Sequence, residues 1–277
     1  GVYTITKDVI SKPTTSSGQR IFEVDEAMIH ADHIESMIEL GKAKEALAYG
    51  KRLLRAAGDD ENVLGLAWFI LGEIYQELKR YNEAIESYTV TLGLDDPTSF
   101  ALLRIGKCYE KIGNTDLSLQ FYNKCVEEDA LLDKGWIAIT DYYIRNKNYK
   151  KALYYINKAL NINSENVLYW KRYGKINFRL NLFEEAEVGF RKSLELGNYE
   201  LNTWLSRHDI LLKLGEHQTA TNTLFQALEF YPENPEIEYR LAGLFYHNIE
   251  YGKGEFHLKN ALKLDPEYLI IIEELFP

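Results

Sequence analysis

The chain of 277 residues is 46% hydrophobic and 27% charged, enough to bury a sizeable core and too apolar for disorder. Its formal charge of −10 argues against a general nucleic-acid or anionic-membrane binder, which needs a net positive field. Two Cys rule out a disulfide framework or a Cys-rich metal site. Residues 1–26 come first and stand apart. Strand-like alternation occurs only at Val2, Tyr3, Thr4 and Ile5, and Lys12 to Gly18 reads as a turn or flexible linker. The start at Gly1, without Met, reads as a fragment of a longer chain, with residues 1–26 a partly ordered tail. From about Asp25 onward helical periodicity runs to the end, broken at regular intervals by polar turns.

Those intervals are regular because the chain repeats. Aligning on Trp68, Leu71, Gly72 and Tyr75 gives a gapless period of 34 over six units, beginning at Gly65, Ser99, Asp133, Val167, Leu201 and Pro235. The Trp68 position is held in turn by Leu102, Trp136, Trp170, Trp204 and Glu238. The Gly72 position is held by Gly106, Thr140, Gly174, His208 and Ala242, and the Tyr75 position by Tyr109, Tyr143, Asn177, Leu211 and Phe245. In the second half of each unit, Ala84 recurs as Ser118, Ala152, Ala186, Ala220 and Gly254, and Tyr88 as Tyr122, Ile156, Phe190, Leu224 and Leu258. An earlier unit fits from Ala27 to Leu64, with Gly41 at its turn and extra residues in the Ala57–Asp60 loop.

The pattern has a physical reading. Gly72 and Ala84 sit where two helices of a hairpin come closest, and large residues such as Tyr88 fill the gaps the small ones leave. A single hairpin cannot bury its apolar stripe, so each stacks on the next. His208 at a glycine position is expected to wedge its hairpin open, so that glycine there would stabilise the sixth repeat.

These residues resemble the tetratricopeptide repeat, a 34-residue helix–turn–helix unit patterned W-x2-L-G-x2-Y, A-x3-F, P. The resemblance covers residues 27–268 in seven repeats starting near 27, 65, 99, 133, 167, 201 and 235. It implies an all-α, right-handed solenoid of stacked hairpins with a C-terminal capping helix. Pro266 suits a first helical turn. Behind it Tyr268, Leu269, Ile272, Leu275 and Phe276 form one apolar stripe, with Ile270 and Ile271 pointing elsewhere. Residues 269–277 are therefore part of a cap or the start of a further helix, and self-association through that helix is the lesser alternative.

Catalytic motifs are absent: no Gly-rich phosphate loop, G-x-S-x-G elbow, H-E-x-x-H pair or C-x-x-C occurs. No enzyme activity, cofactor or metal is expected. His30 and His33 share a helix face at ligand spacing beside Asp32 and Glu35, but both fall on packing positions. Cys125 stands where Ala159, Ala227 and Ala261 recur and reads as a small hydrophobe; Cys108 lies on the partner helix. The unpaired-looking cysteines, with no membrane span and no signal peptide, point to the cytoplasm.

The family resemblance implies that the first helix of each repeat lines a concave groove. The residues facing it in units three to five include Arg104, Lys107, Lys111, Lys134, Arg145, Lys171, Arg172, Lys175 and Arg179, against Glu110 and Asp141. Phe100, Phe178 and Tyr246 lie nearby, and Arg240 belongs to the same face. The first two units present Asp32, Glu35, Glu39, Glu73 and Glu77 instead. The best match to the two-carboxylate clamp for chaperone tails runs Lys171, Lys175, Ser206, Glu236, Arg240; only Lys171 and Arg240 fit, so that clamp is rejected. The expected function is a non-catalytic scaffold binding an acidic or extended peptide or protein segment in this groove. The alternatives are an RNA-binding helical-repeat protein, set against by acidic ends, and a regulatory or assembly subunit of an enzyme complex.

Overall fold

A computed structural model describes residues 33, 34, 36–94 and 98–269. The alternation at residues 2–5, the linker at 12–18, His30, Asp32, Glu35 and residues 270–277 lie outside the described residues. Within them the chain is helical with no strand, and from Ala43 on the helices run α1 (Ala43–Ala56), α2 (Glu61–Glu77), α3 (Tyr81–Thr91), α4 (Thr98–Ile112), α5 (Thr115–Glu128), α6 (Asp133–Arg145), α7 (Tyr149–Ile162), α8 (Val167–Arg179), α9 (Phe183–Glu195), α10 (Leu201–Lys213), α11 (His217–Phe230), α12 (Pro235–His247) and α13 (Tyr251–Leu264). The chain divides into two compact units, residues 1–108 and 109–277, with the boundary inside α4.

Why the chain reverses where it does is visible in the backbone. Gly41, Lys79, Gly113, Lys147, Asn181, Gly215 and Ile249 all take the left-handed conformation, with φ between 56° and 90°. Six of them are spaced by 34 residues, each just past the end of a first helix. The following N–H reaches back to a carbonyl five residues earlier: Arg80 to Tyr75 at 2.8 Å, Asn148 to Tyr143 at 2.9 Å, Glu250 to Phe245 at 2.8 Å. This closure satisfies carbonyls that the helix end leaves open. Asn114 and Asn148 then cap the second helices, accepting from Leu117 N and Lys151 N, and Asn166 and Asn234 cap first helices in the same way.

Packing inside the hairpins follows the small-against-large rule. In the first unit a Cβ added at Gly72 would lie 2.5 Å from the Tyr88 ring, so the ring occupies the space that the glycine vacates. In the same unit Ile34, Ala46, Leu53, Ala57, Val63, Ala67, Ile70, Leu71 and Ile74 form a buried cluster. In the second unit Gly174 meets the Phe190 ring in the same way, at 2.9 Å. Buried clusters there gather on Ile156, Tyr169 and Ile176, on Phe190 and Ile210, and on Trp204, Leu224, Ile237 and Leu241.

The α8–α9 hairpin goes further than the pattern requires. A Cβ at Gly189 would lie 2.5 Å from the Gly174 backbone nitrogen and 2.6 Å from its Cα, so two glycines bring the two helices into backbone contact. That approach accompanies Asn177, fully buried at a position where Tyr75, Tyr109, Tyr143 and Phe245 are aromatic, whose amide donates back to Tyr173 O at 2.9 Å. Ser193 Oγ donates to Val167 O at 3.0 Å and accepts from Asn198 Nδ2 at 3.0 Å, tying the end of α9 to the start of α8.

His208 stands at a glycine position of the repeat. It is 2% exposed, sealed between α10 and α11 with Nδ1 3.4 Å from Ala220 O. The ring fills its site, so glycine would empty it and also weaken the helix. His208→Gly is therefore expected to destabilise the protein by about 2–4 kcal/mol in chemical denaturation, the reverse of a wedge relieved. Burial lowers the His208 pKa below its ordinary value. The unfolded chain takes up that proton from about pH 6.5 downward while the folded one resists, so stability falls as pH drops below this value. Unfolding measured at pH 5 and pH 7 is expected to show a smaller difference in His208→Gln than in the parent chain.

Two backbone positions give further tests. Ile249 is a β-branched residue at φ 64° and 72% exposed, so it bears left-handed strain with little packing in return. Ile249→Gly is expected to stabilise by about 1 kcal/mol in a melting series. Gly189→Ala is expected to cost several times that amount, because the obstructing atoms are backbone.

Candidate functional site

In the second unit the first helices α6, α8, α10 and α12 carry the charged positions that the sequence singles out. The structure brings many of them together with acids. Arg172 on α8 donates from Nε and one amino group to the two Asp141 oxygens on α6, at 2.9 and 3.2 Å, a bidentate fork. Arg240 on α12 pairs with Asp209 on α10 and, at 2.6 Å, with Glu236 one turn earlier. Arg145 pairs with Glu110 at 2.8 Å. Lys171 pairs with Glu200 at 2.5 Å, which holds the Glu200 carboxyl below the usual range. In the first unit Arg104 pairs with Glu73, also at 2.5 Å.

Three of these pairs share one geometry. Glu73–Arg104, Asp141–Arg172 and Asp209–Arg240 each join the ninth residue of one repeat to the sixth of the next, 31 residues on. They recur every 68 residues, so every second repeat junction carries the pair. At the intervening junctions the ninth residue is Lys107 or Lys175, and the sixth is Ala138 or Ser206. The basic strip inferred from sequence is thus largely an acid–base ladder: Arg104, Arg145, Lys171, Arg172 and Arg240 are engaged within the protein. A count of charges by helix cannot show this: Glu73, Glu110 and Asp141 enter it unpaired, and Asp209, Glu200 and Glu236 lie outside the helices counted; the 31-residue acid-to-arginine spacing is the available signal.

What remains of the strip is smaller. Lys111, Lys134, Lys175 and Arg179 are exposed and form no ion pair among the described residues. Lys107 is half-buried on α4. Desolvation against the helix surface, with repulsion from Lys171 and Arg172, holds the Lys175 ammonium below the usual lysine range. Beside these cations Leu168 is 51% exposed, and Phe178 is half-buried against Phe183 with ring centroids 6.0 Å apart. Further along, burial would raise Glu236, but hydrogen bonds from Tyr268 Oη at 2.6 Å and from Arg240 outweigh it and keep the carboxylate ionised. The chaperone-clamp positions Glu236 and Arg240 therefore neutralise each other.

Of the other sequence candidates, His33 is exposed and edge-on to Tyr49, with ring centroids 5.4 Å apart. No group of three or more metal-ligating side chains occurs among the described residues. Cys108 and Cys125 are both buried, and burial pushes the Cys108 thiol up to about 11, away from reactivity. No described helix is long and apolar enough to cross a membrane.

Comparison with known proteins agrees with the hairpin geometry. Residues 66–89 and 100–131 each match a model of the tetratricopeptide repeat. The chain contains tetratricopeptide repeats. A TPR repeat-containing protein of Methanocaldococcus jannaschii is 26% identical over 265 residues, covering 87% of this chain and 45% of that relative. Anaphase-promoting complex subunit 6 of Arabidopsis thaliana is 23% identical over 185 residues, covering 64% of this chain and 33% of the relative. The chain spans less than half the length of these curated relatives. Among solved structures, the C-terminal part of a TPR protein from Cytophaga hutchinsonii superposes with a TM-score of 0.69 at 19% identity, covering 85% of this chain and 95% of that one. YrrB, described as a TPR protein with an unusual peptide-binding site, superposes at 0.60 with 17% identity, over 69% and 98% of the two chains. The fold is the all-α solenoid of stacked helical hairpins seen in these TPR structures.

The ladder's own contribution is measurable. Arg172 and Asp141 are each about one-third exposed, so a double-mutant cycle of Asp141→Asn and Arg172→Gln is expected to give a coupling near 1 kcal/mol, weakened by salt. A coupling indistinguishable from zero would show that the fork is decoration.

Proposed function

We propose that this chain is a non-catalytic scaffold that holds an extended, acidic segment of a partner protein on the first-helix face of repeats four and five. The observation that carries the reading is the division of labour among the cations there. Arg145, Lys171 and Arg172 are paired with acids within the protein, whereas Lys134, Lys175 and Arg179 are exposed and form no ion pair among the described residues, Glu200 acting on Lys175 only from its pair with Lys171. They flank the exposed Leu168 and the half-buried Phe178, which suit an apolar side chain of the same segment. A partner carboxylate meeting Lys175 would relieve the repulsion from Lys171 and Arg172. Each exposed pair contributes only about 0.2–1 kcal/mol, so affinity comes from several acting together.

The test uses a labelled peptide with acidic residues around one phenylalanine. The double variant Lys175→Glu/Arg179→Glu is expected to weaken binding at least tenfold, and added salt to weaken the parent chain similarly. These two positions are preferable to Arg172, whose reversal would also break the fork to Asp141. Unchanged affinity in the double variant would sink the proposal.

A second reading, that the chain is an assembly subunit, is favoured by the names of several relatives: anaphase-promoting complex subunit 6, ER membrane protein complex subunit 2 of Xenopus laevis, and a BBSome member homologue of Drosophila melanogaster. Native-size chromatography of the tagged chain from a lysate of its own cells separates the two, since a subunit elutes with a stable large particle at all salt concentrations.

A further inference from the structure

The second helix of repeat four differs in charge from every other described second helix. Between Asp141 and Glu165 the chain contains no acidic residue, in a protein with 42 of them. The helices α1, α3, α5, α9, α11 and α13 each carry at least one carboxylate, and α7 carries none. Elsewhere such acids pair with neighbouring cations along the helix surface: Arg80 with Glu83 at 2.7 Å, Arg191 with Glu187 at 3.2 Å, Lys259 with Glu255 at 2.7 Å. On α7 and the turn before it, Lys147, Lys150, Lys151, Tyr154, Asn157, Lys158 and Asn161 are all exposed. Their spacing of three and four residues places them on one helix face.

The cations on this face rest on aromatic rings in place of acids. Lys151 Nζ lies 5.1 Å from the Tyr143 ring centroid and Lys158 Nζ 5.4 Å from that of Tyr154. The rings continue inward as a packed stack. Tyr154 is edge-on to Tyr155 at 5.1 Å, Tyr155 lies parallel to Tyr143 at 5.4 Å, and Trp136 stacks on Tyr155 at 6.0 Å. Tyr154 itself is 58% exposed. A rigid aromatic bed thus presents a row of ammonium groups that no carboxylate of the described protein meets.

From this we infer that the α7 face docks an acidic polypeptide segment of a partner protein, at a surface separate from the first-helix face and independent of the function proposed for it. Charge complementarity selects an acidic occupant, and the exposed Tyr154, a side-chain type enriched at protein interfaces, supplies an apolar contact with a hydroxyl at its tip. Two other anionic occupants fit less well. Nucleic-acid bases stack on open aromatic faces, and Lys151 and Lys158 already lie over the Tyr143 and Tyr154 faces. An anionic bilayer is held by apolar side chains inserted beside the basic ones, and Tyr154 is the one large apolar residue exposed on this helix apart from Ile162 at its end.

The experiment is hydrogen exchange on the whole chain, with a short synthetic peptide of repeated Glu-Glu-Leu as the probe and an oligouridylate of similar length as the comparison. Protection of residues 149–162 by the peptide is expected, with at least a tenfold loss of affinity in Lys151→Glu/Lys158→Glu and a smaller loss in Tyr154→Ser. These side chains are exposed, so an unchanged far-UV spectrum is expected for each variant. Lys175→Glu/Arg179→Glu is expected to leave the α7 protection as it is. Protection confined to α8, or loss of α7 protection only in the Lys175/Arg179 variant, would overturn this inference and leave the first-helix proposal standing. Tighter binding of the oligouridylate than of the peptide would overturn it in favour of RNA. Protection of α7 without any peptide, growing with protein concentration, would overturn it in favour of a second copy of the chain.

Discussion

The left-handed residue that ends each first helix is the constraint from which the rest follows. A helix must stop and reverse within a few residues for a hairpin to form, and one residue with φ near +60° does this while its neighbour's N–H closes the helix end. The reversal fixes which residues of the two helices meet. Gly72 then faces Tyr88, and Gly174 faces Phe190, with no freedom to slip by a turn. Side chains on the outer surfaces of the hairpin are placed by the same event, including the acids and arginines of the ladder. Fold and surface chemistry therefore share one origin.

The repeat itself was plain in the sequence, because small and large residues recur at a spacing that only stacked hairpins explain. The turn was less so. Gly41, Gly113 and Gly215 announce a left-handed position, but Lys79, Lys147, Asn181 and Ile249 occupy it too, and residue type alone gives no sign at Lys79 or Ile249. His208 is legible only in part: a large residue at a glycine position reads as a wedge, and the sequence gives no sign that its imidazole is completely buried. The close crossing at Gly189 was invisible because its counterparts, Ser87, Phe121, Tyr155, Thr223 and His257, share no size or polarity.

The candidate site was legible in its address and not in its state. The first-helix positions carry the charges that the sequence assigns to them, yet a tally of basic residues cannot tell a free ammonium from a neutralised one. That distinction lives in distances of 2.5 to 3.2 Å between residues one repeat apart. The α7 face was overlooked for the opposite reason. Attention to the groove side of each repeat drew the eye from a helix whose peculiarity is a missing residue type. Absence of acid is a weak signal in one helix and becomes informative only beside the paired cations of the others.

The spacing of the ladder bears on how such a chain can lengthen or shorten. Removing one hairpin of 34 residues would set Asp141 opposite Ser206, leaving its charge unmet and Arg172 gone. Removing two would set Asp141 opposite Arg240 and restore the fork. The hairpin is the unit of packing, but the pair of hairpins is the unit of surface charge, so gain or loss of repeats in twos conserves what gain or loss in ones disrupts.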